Sequence, residues 1–421
     1  MMSLLVLFLL VLLFLAFLSI YAKTPPFLSL LAGAIIFGMG AGMDFGTVLG
    51  AVIAGLGRVF ALFAIIIFSG AVIALTLREQ GHLERMVADL RTGFPGSWSL
   101  AAIAGYVFSL LTTCCITAFV ILAPVIGRTG SDRHQKNMLL FLTAAGSVVS
   151  YTLVFPTPVI IPLLLGFGSG LSPLLYDIVA IPLSLALLAG LVLLFRKISG
   201  GKGGIAASSP AAGGSDVLSS LRAWAPFIAI VVSIPLCLFV FPLSHESMIQ
   251  AIMLAGLATA LILAPAEARS TGLKKGTTHA GLIMFDICGA GALGNVILES
   301  GFAGAVFPAV SGTLPAVLIP FAFTAIIQAA LGSRVATAVI ASQVMAGTAL
   351  ASVLAPLPLI LSVAAGVCIV SWLTDPFFWL LHRTTDATIR EISLAYTLPL
   401  AACGAAVLFL ALVLHSMPFP G

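Results

Sequence analysis

Charge is what this sequence has least of. Only 8% of its 421 residues are Asp, Glu, Lys or Arg, against 61% apolar ones, whereas soluble domains carry roughly 25% charged residues. A water-soluble surface cannot be assembled from such a chain, so lipid is its solvent. Cysteine is scarce too: six residues, without metal-ligand spacing, exclude a zinc or disulfide scaffold, and the neighbours Cys114 and Cys115 read as small apolar filling. The six histidines are expected in loops or at termini, and no acidic cluster suits a divalent metal. The Gly166-Phe167-Gly168-Ser169-Gly170 turn has no base nearby in the sequence. Neither a metal site nor a cofactor is expected, and an integral-membrane enzyme becomes the distant alternative. The net charge of +4 is that of cytoplasmic-loop Lys and Arg, which gives no reason for a nucleic-acid partner.

What the chain does have is apolar runs of the ~20 residues that a helix needs to cross the hydrocarbon core. They recur from Leu4–Ile20 through to Leu394–Leu414. The first lacks the basic leader of a cleaved signal peptide and is read as a retained span. The 41 glycines and 23 prolines lie largely inside these runs, where they are tolerated only if neighbouring helices or a polar cavity satisfy the freed backbone, so broken helices are expected.

The sequence repeats itself. A gap-free shift of 220 residues places Ala144-Ala145-Gly146 on Ala364-Ala365-Gly366, Pro156 on Pro376, Glu79 on Glu299, Gly81 on Gly301, Thr117-Ala118 on Thr337-Ala338 and Gly127 on Gly347. Two halves are expected, residues 1–198 and 221–421, joined by a Gly/Ser/Ala-rich cytoplasmic linker over 199–220. Each half reads as three spans, an interrupted apolar stretch, a Pro-broken span and one more span. The interrupted stretches, Trp98–Ile126 around Thr112-Thr113-Cys114 and Ala303–Val344 around Gly332-Ser333-Arg334, read as re-entrant hairpins. Five crossings per half then give inverted-topology repeats. The fold expected is an all-α polytopic membrane protein with about ten transmembrane helices and two hairpins. With both termini outside, every one of the 18 basic residues except Arg58 and Arg334 falls on the cytoplasmic side. Arg78–Arg91 reads as an amphipathic helix on that face.

Several segments resemble the gluconate permease family of proton symporters, within a larger group of inverted-repeat organic-anion transporters, and the resemblance spans nearly the whole chain. Tyr151-Thr152-Leu153-Val154-Phe155-Pro156-Thr157-Pro158 is similar to the family's His-Thr-Leu-Val-Pro-Pro-Thr-Pro. Ser371-Trp372-Leu373-Thr374-Asp375-Pro376-Phe377-Phe378-Trp379-Leu380 is similar to its Ser-His-Val-Asn-Asp-Ser-Gly-Phe-Trp-Leu. Gln328 with Gly332-Ser333 resembles its hairpin tip, and Gly289-Ala290-Gly291-Ala292 resembles the span before it. Tyr151 and Trp372 stand where the motifs have histidine, Thr374 where they have Asn, and Arg334 where they have a small residue. The resemblance therefore implies a substrate class, a small carboxylate such as a gluconate-like sugar acid, imported with H⁺ across the inner membrane. It also implies substrate contacts at Thr152, Pro156, Thr157, Gly332, Ser333 and Thr374.

From the residues themselves, Arg334 is the one basic side chain in a hairpin, where a charge costs several kcal/mol and marks function. It either grips the substrate carboxylate or pairs permanently with Asp375 or Glu299. Asp375, directly before Pro376, is the first proton-coupling candidate and also a candidate cap for the half-helix that follows. Asp286 is the second, with a structural or gating role as its alternative. Thr112, Thr113, Thr117, Ser333 and Thr337 offer hydroxyls at the two tips, for a polyhydroxy acid or for exposed backbone. Glu79 and Glu299 are placed to cap span ends. Unwound carbonyls at the Pro-broken spans could equally coordinate Na⁺, which keeps a sodium-coupled carboxylate transporter as the alternative. Assembly into a homo-oligomer stays open.

Overall fold

The computed structural model describes residues 2–94, 96–168, 170–199, 217–239, 245–312, 314–346, 348 and 353–417. Among them every regular element is helical: α1 (Met2–Phe17, extended by a π turn Leu18–Ala22), α2 (Pro26–Gly40), α3 (Phe45–Glu79), α4 (His82–Gly93), α5 (Ser97–Thr112), α6 (Cys115–Ile126), α7 (Arg133–Leu153), α8 (Ile160–Phe167) and α9 (Pro173–Ile198). The series continues with α10 (Val217–Phe239), α11 (His245–Leu263), α12 (Ala266–Glu299), α13 (Phe302–Ser311), α14 (Leu318–Leu331), α15 (Arg334–Met345), α16 (Pro356–Ile369), α17 (Pro376–Thr385) and α18 (Ile389–Ser416, with a π turn at Ser393–Thr397). Six are long and apolar enough to cross a membrane. Large apolar side chains such as Leu13, Ile53, Leu193, Val231, Ile262 and Phe409 are exposed, which lipid tails accommodate and water does not.

The chain forms two compact units: residues 1–61, 152–187 and 285–421, and residues 62–151 and 188–284. Helices α3 and α12 contribute to both. Within the first unit, Asn295 Nδ2 donates to Ala51 O at 2.9 Å, and a Cβ on Gly55 would lie 2.3 Å from Gly291 O. Within the second, a Cβ on Gly276 would meet Val72 and one on Gly272 would meet Thr76. In each unit numbers rise along one helix as they fall along the other, so the pair is antiparallel. Small residues at the crossing let the backbones close in, as lipid-embedded helices require when no hydrophobic effect drives them together.

The Ala-Ala-Gly triplets explain themselves in the same way. In the second unit α7 lies on α5, with Gly146 against Ala102 O and Gly105 against Thr143 O; in the first, α16 lies on α14, with Gly366 against Thr324 and Phe321 O. Each hairpin's first limb is thus seated on the helix that later breaks. A buried aromatic cluster, Phe8, Phe37, Phe302 and Phe323, fills the first unit beside α1, α13 and α14.

Several expectations need correction. The second interrupted stretch is not one hairpin from Ala303: α13 is a separate helix, and the hairpin begins at Leu318. The amphipathic helix starts at His82, after Gly81 in the left-handed region (φ +69°), while Arg78 lies in the last turn of α3. Its buried Leu83, Met86 and Val87 share one face, and Asp89 ties it to α10 by accepting from Ser220 Oγ (2.9 Å) and Trp224 Nε1 (3.1 Å). Helix α10 begins at Val217, within the expected linker; residues 200–216 lie outside the described residues, as does Gly347. Glu79 and Glu299 do not cap their helices, because the orphan groups at a C-terminus are carbonyls and a carboxylate has nothing to donate. Glu79 instead accepts from Lys275 Nζ at 2.8 Å and Glu299 from Asn295 at 2.9 Å.

Gly55→Ala is expected to destabilise the fold by about 1–3 kcal/mol, read as a lower melting temperature in detergent. Gly57→Ala, where nothing lies within 4 Å of the added methyl, is expected to be neutral or stabilising by up to about 1 kcal/mol.

Candidate functional site

The second hairpin turns at Gly332, whose φ of +67° lies where side chains are strained. A Cβ there would sit 2.0 Å from Thr374 O and 2.7 Å from Asp375 N, so the tip is pressed directly onto the break between α16 and α17. Ser333 caps α15, its Oγ accepting Ala336 N–H. Thr337 Oγ1 donates across the hairpin to Gln328 Oε1 at 2.9 Å.

The break is made by Pro376, which cannot continue the hydrogen-bond ladder of α16. Asp375 takes over the freed groups as N-cap of α17: its Oδ1 accepts Phe377 N–H at 2.9 Å. Its other oxygen, Oδ2, accepts from Arg334 Nη2 at 2.8 Å, and that nitrogen also reaches Ser371 Oγ at 2.6 Å and Tyr396 OH at 3.1 Å. The Tyr396 hydroxyl donates in turn to Asp375 Oδ2 at 3.1 Å. Arg334 is 5% exposed and Asp375 1%, so two opposite charges are held away from solvent as one neutral cluster. Of the two partners the sequence allowed Arg334, the structure selects Asp375 over Glu299, and Asp375 is at once cap and counter-ion.

The first break, between α7 and α8, contains a cis Phe155–Pro156 peptide. Thr157 O accepts the N–H groups of Ile160 and Ile161 and so starts α8, while its buried hydroxyl has no partner. Helix α8 packs against α15 and α16, and Gly166 leaves room for Ser342. Thr152, fully buried, hydrogen-bonds Cys368 in the last turn before the second break. The first unit therefore brings Thr152, Pro156, Thr157, Gly332, Ser333, Arg334, Thr337, Thr374 and Asp375 into one set of packed elements. Asp286 belongs to the same unit but faces the backbone N–H of Phe27 at the start of α2, a partner of its own.

Thr112 and Thr113 belong to the second unit. The first hairpin turns at Thr113, a non-glycine at φ +49°, and Thr112 Oγ1 donates to Phe108 O (2.8 Å) and Cys114 O (3.0 Å). The Thr112 hydroxyl is thus occupied with backbone, the role the helix ends at the tip demand, while Thr113 donates its backbone N–H to Leu110 O and lays its side chain against Gly70. Thr117 Oγ1 meets His279 Nε2 at 2.8 Å. That contact corrects the expectation that every histidine lies in a loop or terminus: His279 is inside α12, and His382 inside α17.

Sequence reasoning missed Ser371, Tyr396 and Gln328 as partners, together with Tyr176 and Asp177. Tyr176 OH donates to Leu153 O at 2.8 Å and Asp177 Oδ1 accepts Phe155 N–H at 3.1 Å. A signal was available, since the 220-residue shift places Tyr176 on Tyr396.

With this geometry established, three comparisons converge. The fold is similar to that in the crystal structure of the Alcanivorax borkumensis YdaH transporter, with a TM-score of 0.64 and 15% identity over 94% of this chain and 100% of that one. The sequence is 23% identical to the high-affinity gluconate transporter of Escherichia coli (strain K12) over 405 residues, 89% of this chain and 90% of that protein. The profile of the GntP family permease matches residues 2–202 and 225–417, and on that match across nearly its full length this chain belongs to the GntP permease family.

Proposed function

We propose that the protein is a secondary active transporter that imports a small carboxylate, a gluconate-like sugar acid, together with protons across the inner membrane. The observation that carries this reading is the Arg334–Asp375 pair at the contact between hairpin tip and helix break. A guanidinium already neutralised by Asp375 can accept a substrate carboxylate only if the resulting excess of negative charge is removed, because an unpaired buried anion costs several kcal/mol. A proton on Asp375 removes it. Anion and proton then enter as a neutral set, and each requires the other.

The remaining groups suit a polyhydroxy acid. Gln328 Nε2 and Thr157 Oγ1 are buried hydrogen-bonding groups without partners, and such groups are costly unless a ligand or water uses them. The half-helix N-termini of α15 and α17 add positive potential beside Arg334. Halves of opposite orientation, with about ten crossings and two hairpins, are supported by the antiparallel pairing of α3 and α12, the corresponding helices of the two halves, and both termini outside by the bias of Lys and Arg toward one side. The clustering of sequence-repeated glycines at corresponding crossings supports the same division into 1–198 and 221–421. The E. coli relative supports gluconate as the first substrate to test.

Uptake of radiolabelled gluconate into proteoliposomes, with a pH gradient and no sodium, is expected to exceed uptake under a sodium gradient alone. Sodium-driven uptake would overturn proton coupling in favour of the sodium-coupled reading, and uptake under neither gradient would overturn gluconate as substrate. Arg334→Lys keeps the charge but loses the planar fork, so uptake is expected to fall on the order of 10- to 100-fold in protein that still folds. Asp375→Asn is expected to abolish dependence on the pH gradient. Gly332→Ala, with its methyl against Thr374 O, is expected to lose uptake and about 1–3 kcal/mol of stability.

A further inference from the structure

Both broken spans are tied down by a dipeptide on the helix that follows, and the two ties are chemically different. After the second break, Tyr396 OH reaches Asp375 and Thr397 Oγ1 donates to Ser371 O at 2.5 Å. After the first, Tyr176 OH donates to Leu153 O and Asp177 accepts Phe155 N–H. Asp177 occupies the position that corresponds to Thr397 under the 220-residue shift. A neutral hydroxyl suffices for the tie in one half; in the other a carboxylate performs it.

Among the described residues that carboxylate has no counter-ion: no Lys, Arg or His nitrogen lies within 4 Å of Asp177, and the repeat counterpart of Arg334 is Cys114. The break from Val154 to Val159 and helix α8 contain no titratable side chain, and α9 has no basic residue before Arg196. Tyr151 is the last titratable residue of α7 before the break, and Tyr176, fully buried, spends its phenol on Leu153 O. Asp177 itself is half-buried, and among the described residues the Phe155 backbone N–H is its one hydrogen-bond donor. An anion so placed is poorly compensated; a carboxylic acid, with its carbonyl oxygen still accepting Phe155 N–H, is not.

We infer that Asp177 is a second proton-binding site of the transport cycle, separate from the Arg334–Asp375 pair, loaded on one side of the membrane and released on the other. The inference rests on the proton-coupled reading above, and the two fail separately. In proteoliposomes holding the full chain, the number of protons moved per gluconate is read from the pH gradient that just balances a gluconate gradient. Asp177→Asn keeps an oxygen for Phe155 N–H, so folding and uptake are expected to persist while the ratio falls by one proton; Asp177→Glu is expected to retain the wild-type ratio. An unchanged ratio in Asp177→Asn overturns the inference alone, whereas a wild-type protein that moves no protons overturns the reading beneath it. A second measurement needs neither substrate nor the Asn variant. On a pH step, the infrared carboxylic C=O band of the wild type is expected to move in Asp177→Glu, and identical difference spectra for the two would also overturn the inference.

Discussion

A backbone interrupted inside hydrocarbon must find new partners for its N–H and C=O groups, and the rest of this structure follows from how that demand is met. Pro156 and Pro376 break two helices, and Thr113 and Gly332 turn two hairpins. Each interruption is closed by groups from nearby: Asp375 and Ser333 as caps, Thr112 on its own turn, Thr397 on Ser371 O, Tyr176 on Leu153 O. Two half-helix N-termini end up beside each other only because Gly332 has no side chain to keep the tip off Thr374 O. The small residues at the α3–α12, α5–α7 and α14–α16 crossings serve the same end, since closely approached backbones hold broken elements that their own ladders no longer hold.

The charge of Arg334 enters where this polar framework already exists. Arg334 costs several kcal/mol in lipid, and the cluster that receives it is built from a cap (Asp375), a hydroxyl of the break (Ser371) and a phenol of the next helix (Tyr396). Because Asp375 both starts α17 and neutralises Arg334, any event that changes its charge acts on the helix and on the Arg334 cluster together. In the transport cycle proposed above, that dual occupation would couple protonation to the position of a half-helix. Under the 220-residue shift Cys114 stands where Arg334 does and Asp177 where Thr397 does, so corresponding positions of the repeat differ in charge.

Much of this was legible in the residues, for physical reasons. Small polar residues interrupting apolar runs marked the turns at Thr112-Thr113-Cys114 and Gly332-Ser333, and proline marked the breaks. The coincidence of Ala-Ala-Gly triplets under one shift marked the repeat, and in the structure each triplet lies at a helix crossing. Other features were hidden. Hydropathy cannot separate α13 from the hairpin after it, because both are apolar and the loop between them is short. The polar first turns of α12, with Lys274 and Lys275, read as loop, which is why His279 was expected outside a helix. The partners of Arg334 lie 37, 41 and 62 residues away, a distance at which only the fold decides between Asp375 and Glu299.

The central claim, that a substrate carboxylate takes the place of Asp375 on Arg334 while Asp375 takes a proton, can be tested by calorimetry. Gluconate binding to the purified protein would be titrated in buffers of different ionisation enthalpy. The account expects the heat to vary with the buffer as proton uptake on binding demands, and the variation to diminish in Asp375→Asn. Binding heats that are the same in every buffer would contradict it.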